Sequence, residues 1–144
     1  MTTSSKVLRR SAAVLAAGGF LWVVKFVVIA ATDGATSGAP ESMTSVLYLA
    51  AVALMVVGLA GVGFGLMSGR HVVLRILGGL AGPVTWFVSY MVIEGAAKAA
   101  AGDAGPSWLQ DEIGIVTTGA VLMTIGLALA KPRSTSPSMD TVAV

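Results

Sequence analysis

From Met43 to Met67 the chain runs without a single charged side chain. A helix needs about 20 apolar residues, rising about 1.5 Å each, to cross the roughly 30 Å hydrocarbon core of a bilayer. Further stretches are nearly as apolar. Ser11 to Ala31 is broken only by Lys25, Val72 to about Ile93 carries Arg75 and Pro83, and Ile113 to Ala130 is opened by Glu112. Hydrophobic residues make up 56% of the chain and charged residues 11%, against roughly 25% charge in a water-soluble domain. So few ionic groups cannot cover a surface that faces water, and lipid must be the solvent for most of it. The sequence predicts one all-α unit, a four-helix transmembrane bundle with spans near 11–31, 43–67, 72–93 and 112–130. Short connections favour antiparallel neighbours in up-down-up-down order.

The segments between the spans read as loops. Thr32 to Ser42 (TDGATSGAPES) and the AGDAGPSWLQD stretch ending at Asp111 are rich in Gly and Pro, the residues that punctuate chains. Glu94 and Lys98, four apart, allow the third helix to continue past its apolar run. Asp111 and Glu112 suit the positive end of a helix dipole at the start of the fourth span. Residues 1–10 form a basic N-terminal segment, 11–131 the membrane domain and 132–144 a flexible tail ending Val142-Ala143-Val144. A cleavable signal competes for the first span, since its start is basic and Val28-Ile29-Ala30 has a small residue at its end. The run is longer than the roughly 7–15 residues of a signal core and contains a lysine, which favours a retained helix.

Charge placement orients the spans. Of the nine Lys and Arg, Lys6, Arg9, Arg10, Arg70, Arg75, Lys131 and Arg133 fall on one side of the four-span arrangement. Asp33, Glu41, Glu94, Asp103, Asp111 and Glu112 fall on the other. The excess of Lys and Arg marks the cytoplasmic side, so both termini are expected there, in a multi-pass protein of the cytoplasmic membrane. Helices rich in Ala, Val and Gly suggest a bacterial source. The pI near 9.3 does not point to nucleic acid, because the basic residues flank apolar runs and build no basic face. Cysteine is absent, which removes thiol catalysis, disulfides and Cys-ligated metals. His71, the single histidine, supplies neither paired haem ligands nor the usual three-ligand zinc site. No cofactor or metal is expected, and no catalytic residue is assigned.

Lys25 is the one charge deep inside an apolar run, since Arg75 lies within a turn of the start of its own; it sits roughly 9 Å below the outer end of its span at about 1.5 Å per residue. A lysine within a span costs roughly 2.5–3.5 kcal/mol on insertion scales, so it needs a partner, water or a path to the interface. Glu94 and Glu112 reach the same outer end. One reading is a structural ion pair, or a stem that snorkels outward. The sharper one is an outward-facing site for an ion, a proton or an anionic head group. Trp22, Trp86 and Tyr90 lie nearby in the outer half, with Phe26, Tyr48, Phe87 and Trp108. An interfacial belt accounts for most of these aromatics, but Trp22 and Trp86 stand deep enough to wall a cavity around Lys25.

Small residues mark packing faces. Gly61, Gly65 and Gly69 are spaced by four along the second span. Gly78 and Gly82 repeat the pattern on the third, continued by Thr85 and Ser89, and Gly119 and Gly126 mark the fourth. Such stripes let helix backbones approach where lipid supplies no hydrophobic drive. They serve the bundle itself, a second copy of the chain or a larger membrane complex equally well. The leading functional expectation is a non-enzymatic accessory or assembly protein that packs through these faces. The alternative is a small transporter, channel or lipid- or small-molecule-binding protein using Lys25, Glu94, Glu112, Trp22, Trp86 and Tyr90. A membrane enzyme comes last, since nucleophiles and metal ligands are scarce.

Overall fold

The computed structural model describes residues 3–34, 38–102 and 106–132. Asp103, Arg133 and the expected tail beyond Pro132 lie outside the described residues. The described residues form four helices, α1 (Thr3–Ala31), α2 (Ala39–Leu66), α3 (Val72–Ala101) and α4 (Ser107–Ala130). Each is long and apolar enough to cross a membrane. Hydrocarbon offers no water to backbone N–H and C=O groups, so a spanning segment must satisfy them internally, as a helix does.

The helices outrun the apolar stretches. Helix α1 begins at Thr3, well before Ser11, because nothing from Ser4 to Arg10 breaks a helix. Helix α3 runs through Pro83 and on to Ala101, with Lys98 and Glu94 paired at 2.8 Å across one turn. The start of α4 differs from expectation in a way that matters. It begins at Ser107 behind Pro106, so Asp111 and Glu112 stand beyond the first turn and do not serve the helix dipole. Turns follow local backbone needs: Asp33 and Gly34 after α1, and Gly69 after α2, all take positive φ. Gly69 therefore belongs to the connection, with nothing near the place of a Cβ. The expected stripe on the second span ends at Gly65.

Each helix packs on two others. Helix α1 lies against α2 and α4, and α3 also lies against α2 and α4, so α1 and α3 face each other across the bundle. The contacts run in opposite order along neighbouring helices. On the α1–α2 seam Gly18 meets Ala51 and Met55, Gly58 meets Leu15, Gly61 meets Ser11 and Gly65 meets Leu8. On the α1–α4 seam Gly19 meets Gly119, and Gly126 meets Ala12 and Ala16. On the α2–α3 seam Gly63 meets Gly78, and Gly82 meets Leu59. The glycine faces of the sequence are thus occupied within the bundle. Helix α1 is the most enclosed, giving Ala12, Leu15, Ala16, Trp22 and Ile29 to the core. Among the described residues of α3 only Gly79 is buried.

A Cβ on Gly58 would stand 2.7 Å from the Leu15 backbone, whereas one on Gly95 meets nothing within 4 Å. Gly58→Ala must push α1 and α2 apart and is expected to cost about 1–3 kcal/mol, the usual range for overpacking. Gly95→Ala should be neutral or stabilise by up to about 1 kcal/mol through helix propensity. Reversible unfolding in mild detergent measures both, and an unchanged Gly58→Ala variant would remove the seam from the account.

Candidate functional site

Of the spaces beside the helices, one at the acidic end of the bundle and one along its side involve the residues singled out in the sequence. The first forms around Lys25. The α1–α4 seam that sets Gly19 on Gly119 continues outward for about two helical turns, and there it brings Lys25 to Glu112. The Lys25 Nζ donates to both carboxylate oxygens of Glu112, at 2.5 and 2.6 Å. The two side chains are 9% and 13% exposed, so the pair is largely out of solvent. The α1–α2 seam adds Tyr48, whose ring centroid lies 5.6 Å from the ammonium nitrogen, within range of a cation–π attraction.

Glu94 does not reach Lys25. It pairs with Lys98 and lies one turn from Tyr90 on the same helix. Its stem lies over Gly114 of α4, where a Cβ would stand 2.9 Å from the Glu94 Cβ. The expected cluster is therefore two polar groups, Lys25–Glu112 and Tyr90–Glu94–Lys98, joined by aromatic rings. Trp22 stacks on Tyr48, with centroids 6.0 Å apart and planes 9° from parallel. It also contacts Trp86 and Tyr90, each at 6.0 Å.

Trp22 is 2% exposed and belongs to the hydrophobic core with Leu15, Ala51, Met55 and Leu122. It fills space at the bundle centre and does not line the cavity at Lys25, a departure from the sequence expectation. The cavity beside Lys25, about 570 Å³, is walled by Ile29, Glu41, Thr44, Ser45, Tyr48, Leu49 and Glu112. Its polar wall on α2 went unread in the sequence. Glu41, Thr44, Ser45 and Tyr48 recur at the spacing that keeps residues on one helix face, and that periodicity was the available signal.

The second space is a groove of about 510 Å³ between α2, α3 and α4. Trp86, Thr85, Ser89 and Thr118 line it among apolar side chains, so Trp86 serves this groove. Thr118 is 1% exposed and its hydroxyl has no partner. The hydroxyls of Thr117 and Thr124 on the same helix donate to carbonyls one turn back, at 2.7 and 2.8 Å.

Comparison with protein-family models, with curated proteins and with solved structures gave no match. The class is therefore defined by the chain itself: a small protein whose described residues are all-α, in four helices each long and apolar enough to span a membrane.

Lys25→Met leaves the Glu112 carboxylate buried without its cation and is expected to destabilise the protein by about 3–5 kcal/mol. Lys25→Met combined with Glu112→Gln should recover most of that loss. Glu94→Gln, at the edge beside half-exposed Lys98, should cost under about 1 kcal/mol. Unfolding of the three variants in one detergent checks the order, and a silent Lys25→Met would rule out a structural pair.

Proposed function

We propose that this protein crosses the cytoplasmic membrane four times, up-down-up-down with both termini in the cytoplasm. We infer that it binds a small polar ligand or lipid head group at its outward end without catalysing a reaction. Residues 1–10 and 132–144 are its cytoplasmic segments and 11–131 its membrane domain. The observation that carries this reading is the Lys25–Glu112 pair in the wall of a polar cavity of about 570 Å³. Ligand sites typically occupy about 300–1,000 Å³, with few polar groups set among apolar walls. Here the polar groups carry both signs, a lysine against Glu41 and Glu112, with Thr44, Ser45 and Tyr48 beside them. A zwitterionic or amphiphilic ligand could exchange its own charges with this pair, so entry need not strand a buried ion. In this reading Tyr90, Glu94, Trp22 and Trp86 hold the helices that frame the site.

The reading as an accessory protein that docks through glycine faces draws less from this geometry. Gly61, Gly65, Gly78 and Gly82 already carry helix contacts within the bundle. What favours it is α3, whose Val84, Phe87, Val88 and Met91 remain exposed. A membrane partner or a second copy of the chain would lie there.

The test is melting of the purified full-length protein against a panel of zwitterionic and anionic small molecules and lipids. A binder should raise the melting temperature saturably, and Lys25→Met/Glu112→Gln should abolish that rise. Absence of any binder, with co-purification of a stoichiometric membrane protein, would move the assignment to the docking reading.

A further inference from the structure

The opposite end of the bundle holds a second charged pocket, independent of the Lys25 site. Lys6, Arg9 and Arg10 stand on one face of the first turns of α1, at the spacing that brings side chains together. With Ala13 and Ala130 they line a pocket of about 310 Å³ at the end of α4. Arg9 is held in place, its Nε donating to the Ala130 carbonyl at 3.2 Å. That contact occupies one N–H of the guanidinium and leaves the remaining donors of its planar fork free for an anion.

Nothing among the described residues at this end neutralises the three cations. Asp33, Glu41, Glu94, Asp111 and Glu112 all lie at the other end of the bundle, while Arg70, Arg75 and Lys131 add to the positive charge here. Arg75 is engaged with the Phe64 ring, 4.1 Å from its centroid, and is not part of the pocket.

We propose that this pocket binds the phosphate of an anionic phospholipid. Basic pockets between membrane helices capture lipid head groups in this way, and a fixed arginine fork matches phosphate geometry. A lipid is favoured over a free phosphate because the pocket continues onto an apolar stripe. Ala13, Ala17 and Phe20 follow one another along the exposed face of α1. The short side chains of the two alanines leave room for an acyl chain beside the helix, and exposed Phe20 follows about 10 Å from Ala13 along it.

The test uses the full-length protein in an uncharged detergent, titrated separately with phosphatidylglycerol, phosphatidylcholine and inorganic phosphate. Native mass spectra count the lipid retained, and melting temperature follows occupancy. Phosphatidylglycerol should bind saturably at one molecule per chain and raise the melting temperature, and the other two should do neither. Lys6→Gln/Arg10→Gln spares the Arg9–Ala130 contact and should weaken phosphatidylglycerol binding about 30-fold, from about 1 kcal/mol for each basic residue lost. Arg70→Gln removes a cation of the same end outside the pocket and should leave the affinity unchanged. Equal binding by Lys6→Gln/Arg10→Gln and the parent would overturn the site. An equal loss in Arg70→Gln would replace it with a diffuse surface attraction. Equal stabilisation by phosphatidylcholine would reject charge recognition, and by inorganic phosphate it would reject the lipid.

Discussion

Close approach of α1 to α2 and α4 is the constraint on which this structure depends. Within a bilayer, lipid tails are as apolar as leucine, and helices gain nothing from hiding apolar side chains against each other. Association must come from dense contact between backbones, and bulky residues along the seams would forbid it. Gly18 and Gly58 permit that contact on one flank of α1, and Gly19, Gly119 and Gly126 permit it on the other. The tightness has a second effect, because glycine seams admit few sliding positions and so fix the register between helices.

The Lys25 site follows from that register. With Gly19 seated on Gly119 and Gly58 on Leu15, Lys25 arrives beside Glu112 and above the Tyr48 ring. An ammonium and a carboxylate this far out of water are each costly alone, and together they offset much of that cost only when geometry is good. Both carboxylate oxygens accept from the ammonium, which is the geometry required. Packing and electrostatics therefore reinforce each other. A slip of α4 by one turn would break the pair and separate Gly19 from Gly119.

The bundle is uneven, and the unevenness matters for function. Helix α1 is sealed between two seams, whereas α3 is joined closely to α2 and leaves a groove toward α4. The aromatic cluster of Trp22, Tyr48, Trp86 and Tyr90 bridges the half nearer the acidic end, where large flat rings span distances that glycine contacts do not. The charged ends differ as well. One end places Lys25 in a paired, enclosed setting, and the other leaves Lys6, Arg9 and Arg10 facing an open pocket.

Much of this was legible without coordinates. Apolar runs of spanning length dictate the four helices, since backbone groups have no other way to be satisfied in lipid. The cost of an isolated ammonium dictates that Lys25 be neutralised, and the charge bias sorts the ends. Spacing marks Gly61, Gly65, Gly78 and Gly82 as contact positions, because periodicity says which residues share a face. It cannot say which helix that face meets, and only the tertiary structure decided this. Glu94 and Glu112 are equally near Lys25 in depth, but α4 packs on α1 while α3 stands across the bundle, so Glu112 takes the pair and Glu94 turns to Lys98. The same limit hid the role of Trp22, which is core, and of Thr44, Ser45 and Tyr48, which wall the cavity. Sequence determines what must be buried or neutralised, and the arrangement of neighbours determines by what.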